Sequence, residues 1–376
     1  MSVNYASVIP ENFKDSGYGE YDNVDFVLSF QNQSLNLGSI RLEGDLDITN
    51  NGVGLYDPTN HEKDIKFDNF VGAHTFIESV QTSMGQPIGG EVIENLTEYP
   101  RYVKMKTTAS TSQTDMYNSS NVCELKAPND SLLMALLEGG VPPVAVAGED
   151  YRVLPDFSIK PHICLNSSSE TLPHRRSGDI RVSINLNRTF GALFGLDVGA
   201  TTKYLIKNLN LTYTTTEDDG SNEGIMLKTV LNIKQSILSS FSNTSSKVPA
   251  VCNSVSMSFN RQDRENVAHQ NNTALFKVPN VTELQFLFND SLNKGIAFVL
   301  RDTEETVLRY IDSFMDTGKN SLSPQKQSAN DGYGIGLAFD DYIDLRTQKF
   351  NTQITSGLSS NTPLIMYMYF HSILKF

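Results

Sequence analysis

Tryptophan is absent from this chain of 376 residues, and cysteine and positive charge are both in short supply. Each shortage excludes something. The three cysteines, Cys123, Cys164 and Cys252, are widely spaced and form no CxxC pair. An odd count cannot close into a complete disulfide set, so they read as buried thiols of a reducing compartment. Lysine and arginine number 30 against 43 aspartates and glutamates, a formal net charge of −13. Proteins that grip nucleic acid carry a basic face or tail. Here the first twenty residues hold one lysine and no arginine, and Arg175-Arg176, the only adjacent arginine pair, reads as a turn-flanking surface pair. Direct nucleic-acid binding is therefore not expected. The longest apolar run, Leu364 to Phe370, falls far short of the roughly 20 residues of a membrane-spanning helix. The first residues are polar and lack an apolar core segment, so synthesis without a secretion signal is expected.

Catalytic signatures are missing as well. None of the 6 histidines sits in HExxH or at metal-ligand spacing. His371 lies in an apolar stretch and reads as a core or interface histidine, while His61, beside Glu62, reads as solvated. Gly332, Gly334 and Gly336 are spaced like part of a dinucleotide fingerprint. They precede a strand pattern instead of following one, and no helix opens after them, so the phosphate reading fails on context. Asp340, Asp341 and Asp344 form an acidic group that reads as a solvated loop. No GxSxG or Walker motif is present. The Asn-x-Ser/Thr triplets at Asn32, Asn95 and Asn187 are what a chain rich in these residues contains by chance. No catalytic, cofactor-binding or metal residue is assigned, no cofactor is expected, and no enzymatic activity is expected.

What is present is alternation. Ile40, Leu42, Leu46 and Ile48 point one way and Arg41, Glu43, Asp45 and Asp47 the other, the mark of a strand with one dry and one wet face. Gly44 interrupts the dry row, which predicts a bulge or a close backbone approach. Ile180, Val182, Ile184 and Leu186 repeat the pattern, as do Leu205, Leu209, Leu211 and Tyr213. Phe157 to Leu165 contains Pro161 and is placed at a sheet edge. The Glu98-Tyr99-Pro100 sequence predicts a short helix, and Asp130 to Glu138 a capped one. Asn50 to Asn69 and Thr107 to Asn121 read as polar loops. Charged residues are only 19% of the chain against a usual ~25%, which suits strands and loops more than exposed helices.

TTTEDDGSNEG, Thr214 to Gly224, lacks any large apolar residue and is the clearest linker. Beyond it the plan repeats. Ile225 to Leu238 is strand-rich, Ser239 to Ser246 reads as a polar loop, and Val255, Met257 and Phe259 alternate with serines. Leu284, Phe286 and Phe288 alternate in turn. Asp302 with Glu305 predicts a capping box for a helix whose apolar face is Val307, Leu308, Ile311, Phe314 and Met315. Leu364 to Phe376 is apolar on both faces, which predicts a central strand. Setting Phe26 against Ile225 and Leu205 against Leu364 aligns the halves as two copies of one β-unit, the first with longer loops. The expected organisation is an arm at 1–20, a first unit at 21–214, a linker at 215–224 and a second unit at 225–376.

Five segments carry a resemblance: SLNLGSIRLEGDL (Ser34 to Leu46), GAHTFIESV (Gly72 to Val80), ENLTEYPRYVKM (Glu94 to Met105), YLIKNLNLTY (Tyr204 to Tyr213) and GIGLAFDDYIDLRTQKFNTQI (Gly334 to Ile354). Together they resemble double jelly-roll major capsid proteins of tailless icosahedral DNA viruses, the type found in membrane-containing phages, virophages and polinton-like viruses. The resemblance implies an all-β fold of two tandem eight-stranded jelly rolls with a few short helices. It also implies a homotrimeric, pseudo-hexagonal capsomer in the virion shell. Its partners would be neighbouring capsomers, penton and minor capsid proteins, and an internal membrane reached by the N-terminal arm. The long loops would form the outer tower. A minor capsid or spike protein and a carbohydrate-binding β-sandwich are the competing readings; the second ordinarily presents tryptophan or tyrosine platforms, and this chain has no tryptophan.

Overall fold

The computed structural model describes residues 3–49, 66–67, 71–85, 91–109, 154–187, 193–194, 203–220, 224–237, 241–262, 281–288, 296–299, 303–314, 334–356 and 363–375. The first half runs β1 (Asn4–Val8), β2 (Tyr18–Gly19), β3 (Asn23–Leu28), β4 (Gln33–Asn36), β5 (Arg41–Thr49), β6 (Lys66–Phe67), β7 (Ile77–Met84) and β8 (Glu91–Thr97) into helix α1 (Tyr99–Ala109). It continues with β9 (Leu154–Ile159), β10 (Thr171–Pro173), α2 (His174–Ser177), β11 (Ile180–Leu186), β12 (Leu193–Phe194) and β13 (Lys203–Glu217). The second half holds β14 (Met226–Ile237), β15 (Phe241–Ser246), β16 (Val251–Arg261), β17 (Val281–Phe288) and β18 (Ile296–Val299). After these come α3 (Thr303–Asp312), β19 (Ile335–Asp344), β20 (Phe350–Ser356) and β21 (Leu364–Lys375).

One strand order occurs twice. In the second half the pairings give β14-β21-β16-β19 and β15-β20-β17-β18, which is 1-8-3-6 and 2-7-4-5 when its strands are counted along the chain. In the first half β1 and β2 line one flank of β13, β4 and β5 follow one another along its other flank, and β9 and β10 pair with β5 and β4. Facing them is β3-β11-β7-β8. With each interrupted pair counted as one strand, and the separate β6–β12 pair set aside, this is again 1-8-3-6 and 2-7-4-5. Two sheets wound in this order are a jelly roll.

The rolls are joined edge to edge. β8 lies parallel to β14, bridged at Asn95 and Leu231, so four strands from each roll make one eight-stranded sheet. β21 shows why the join is stable. Leu364, Met366, Met368 and Phe370 face the core of the second roll, while Ile365, Tyr367 and Tyr369 belong to the core of the first. A strand buried on both faces must be apolar on both, and β21 is.

Several local expectations change in the folded chain. The stretch expected as an arm supplies β1 and β2, and Ala6 and Val8 pack against the first core. On β13 the buried row is Tyr204 and Ile206, then Leu209, Leu211 and Tyr213; Leu205 is only half-buried. A bulge between Lys207 and Asn210, with Asn208 at φ +50, shifts the alternation by one. Gly44 combines both roles expected of it. The register with β9 slips beside it, and a Cβ there would stand 3.2 Å from Ile206 Cγ2, the Lys207 carbonyl and Phe157 Cζ. The polar stretch Ser239–Ser246 contains strand β15, laddered to β20. The serines that alternate with Val255, Met257 and Phe259 on β16 are buried too: Ser254 Oγ donates to the Ser313 carbonyl at 2.6 Å, beneath the end of α3. On α3 itself Tyr310 and Ile311 are buried while Leu308 is exposed. β9 stops before Pro161, and β13 continues through Thr215–Glu217, into the expected linker. The predicted helix Asp130–Glu138 and loop Asn50–Asn69, apart from β6, lie outside the described residues.

Candidate functional site

The feature that organises the molecule is the seam between the rolls. It begins at α1. Glu98, in a left-handed conformation at φ +53, turns the chain out of β8, and its carbonyl accepts the Arg101 and Tyr102 amides. The helix runs on to Ala109, past the start of the expected Thr107–Asn121 loop, and within it Thr107 donates its buried hydroxyl to the Val103 carbonyl at 2.8 Å. Tyr99, Arg101, Tyr102, Val103 and Met105 are all buried. Such a helix fits only where both rolls cover it.

The second roll covers it with the outward row of β21. The Arg101 guanidinium lies 4.2 Å from the centre of the Tyr367 ring. Tyr369 donates its hydroxyl to the Glu98 carbonyl at 3.1 Å and packs on Tyr102 at 5.4 Å between ring centres. From α3, Tyr310 donates to the Met105 carbonyl at 2.7 Å. α1 and α3 follow the same strand in their respective rolls, so the seam is made where equivalent helices meet. Gly334 and Gly336 permit that contact: a Cβ on Gly334 would stand 2.8 Å from Tyr310 Cε2, and one on Gly336 2.6 Å from Ser313 Cβ. These glycines serve helix–sheet packing. Gly332 lies outside the described residues.

At the floor of the seam is Glu94, fully buried on β8. Its carboxylate accepts the Cys164 amide at 2.8 Å and, across the join, the Val230 amide at 3.3 Å. Burial pushes its carboxyl up to about 7, opposed by these amides, the Cys164 thiol and the charge of Lys106. Above it opens a cleft of about 410 Å³. Lys106, Lys160 and His162 line it from the first roll, and Lys228, Tyr342 and His371 from the second. His371 is neutral: burial, then the nearby Lys106 charge, lowers it to about 3, and its Nε2 meets Ser256 Oγ at 3.0 Å.

The remaining residues singled out by sequence do not gather into a site. Cys164 and Cys252 are buried and unbridged; burial raises both thiols, Cys252 to about 12. Arg175 pairs with Asp218 at 2.8 Å. Asp344 pairs with Arg346 at 2.7 Å, which holds its carboxyl below the usual range. Among the described residues no group of histidine, cysteine, aspartate and glutamate is arranged to hold a metal ion. Cys123 and His61 lie outside them. Sequence reasoning missed Glu94. The available signal was a charged residue in the same alternating row as Leu96.

No protein-family model matches the chain, and no curated protein matches it in sequence. Solved structures do match. A chain of the Sputnik virophage structure superposes with a TM-score of 0.59 at 10% identity, covering 100% of this chain and 86% of that one. PBCV-1 VP54, fitted into a reconstruction of the same virophage, gives 0.58 at 8%, covering 100% and 94%. The Faustovirus major capsid protein gives 0.57 at 9%, covering 100% and 90%. All three are double jelly-roll capsid proteins, and the fold of this chain is the same all-β double jelly roll.

Proposed function

We propose that this chain is a major capsid protein, the subunit from which an icosahedral virus shell is tiled. The observation that carries the reading is the repeated strand order in two rolls that share one sheet. Two similar lobes fixed side by side let three chains present six near-equivalent positions, and a closed three-fold ring of this kind can then pack laterally into a shell. The role is structural, without catalysis or cofactor, and the net charge of −13 suits a shell whose genome is held by other components.

On this reading the rolls are 21–214 and 225–376, joined through 215–224, with β1 and β2 from the 1–20 segment completing the first. The partners are two further copies, neighbouring capsomers, and penton and minor capsid proteins. Contact with an internal membrane or minor protein falls to the exposed Val3, Tyr5, Ile9 and Phe13. The outer tower falls to the 50–69 and 110–121 segments. Native mass spectrometry of the purified chain at micromolar concentration is the direct test. A trimer is expected, with interfaces burying more than ~2,000 Å²; monomer alone would overturn the reading. Protease treatment of intact particles should cut the tower segments before the N-terminal one.

A further inference from the structure

We propose that the cleft at the seam is a binding site for a small oxyanion of the sulfate or phosphate type. Its charge runs against that of the whole chain. Three lysines, Lys106, Lys160 and Lys228, line it, and Glu94 is the one carboxylate among its described lining residues. That carboxylate is already occupied by the Cys164 and Val230 amides at the floor. Asn166, Ser167 and Asn253 add neutral hydrogen-bonding groups around the lysines.

One of the three lysines is also crowded by a further cation. Lys160 is partly buried beside Arg41, and both the burial and the neighbouring charge draw its ammonium below the usual lysine range. Cations brought together at a partly desolvated surface repel, and a bound anion offsets that repulsion more strongly there than in water. The cleft of about 410 Å³ is also within the size range of small-molecule sites, roughly 300–1,000 Å³. Tyr102 and Phe314 on its wall leave room for an organic body attached to the anion. Because Lys106 and Lys160 belong to one roll and Lys228 to the other, a bound anion ties the rolls together.

Equilibrium dialysis of the full chain with radiolabelled sulfate tests the site directly, at constant ionic strength in chloride. Saturable binding of one sulfate per chain is expected. The double variant Lys106→Gln/Lys228→Gln, whose two positions are exposed, should weaken it by about tenfold or more. Lys247→Gln, an exposed lysine outside the cleft lining, should leave it unchanged. Displacement by inorganic phosphate and by adenosine monophosphate at equal concentration would mark a free ion as sufficient. Stronger displacement by the nucleotide would mark a phosphorylated small molecule. Either result supports the site. Non-saturable sulfate retention, or retention equal in the native chain and a double variant with an unaltered circular dichroism spectrum, would overturn it.

Discussion

Glu94 and His371 stand on the same cleft and should oppose one another as the pH falls. The folded chain holds the Glu94 carboxyl near pH 7 where the unfolded chain holds it near 4.5. Folding therefore binds a proton at Glu94 between these values, and stability from this group is lost as pH rises from 4.5 through 7. His371 has the reverse sign. Its folded value is about 3 and its unfolded value 6.5, so its contribution is complete above 6.5 and lost as pH falls from there toward 3. Between 4.5 and 6.5 the slopes are opposite, each about 1.4 kcal/mol per pH unit at its fullest. The native protein should be nearly level across that window so far as these groups are concerned.

Glu94→Gln removes one slope and leaves the other. The variant starts less stable, because the amide NH₂ faces one of the two backbone donors that the carboxylate accepts, a cost of about 1–3 kcal/mol. It should then lose a further ~2 kcal/mol relative to the native chain between pH 6.5 and 4.5. Asp179, Asp218 and Asp344 are held below the usual carboxylate range and titrate mainly beneath this window. Urea unfolding followed by circular dichroism at several pH values reads the difference. Parallel pH profiles for the native chain and Glu94→Gln would refute the assignment of the buried carboxyl.

Three further outcomes follow from the packing. Gly336→Ala places a methyl group against Ser313 Cβ and the Tyr310 backbone, and should cost about 1–3 kcal/mol by lifting α3 from β19, seen as a lower thermal midpoint. Tyr310→Phe leaves the Met105 carbonyl without its hydroxyl donor and should cost about 1–3 kcal/mol, measured by urea unfolding. In a Cys123→Ser background neither Cys164 nor Cys252 should react with Ellman's reagent at neutral pH until the chain is unfolded, since burial keeps both as neutral thiols.

Strand positions with one clear dry row were legible from sequence. Ile180, Val182, Ile184 and Leu186 are all buried as their alternation requires. Positions decided by a partner were not. β15 has a polar sequence and takes its form from the β20 ladder, and Ser254 of β16 is bonded beneath the end of a helix distant in sequence. The repeat that the sequence suggests matches the strands at one end and is displaced at the other. Leu205 on β13 and Leu364 on β21 do lie on equivalent strands. Ile225 precedes β14, whose counterpart is the β1–β2 pair and not Phe26 on β3. The N-terminal stretch lacks a sustained period because it is an interrupted edge strand, so its membership in the first roll was hidden. The seam was hidden for a related reason: Glu94, Cys164 and Val230 meet only after both rolls have formed.

The seam also determines whether either roll is complete without the other. Separated at the linker, β8 and β14 would each become an open sheet edge, and edges of this kind pair with other chains unless they are covered. The second roll would lose more. Ile365, Tyr367 and Tyr369 would face water, each forfeiting roughly 2–3 kcal/mol of burial, a substantial part of the 5–15 kcal/mol that usually stabilises a domain. Arg101, Glu98 and Met105, which cover or bond the exposed groups, all come from the first roll. Residues 224–376 expressed alone should therefore aggregate or lack a cooperative thermal transition, while co-expression with residues 1–223 should restore a soluble pair. A monomeric 224–376 fragment with a sharp melt would mean that the seam joins two self-sufficient rolls, and that the double-faced apolar character of β21 has another cause.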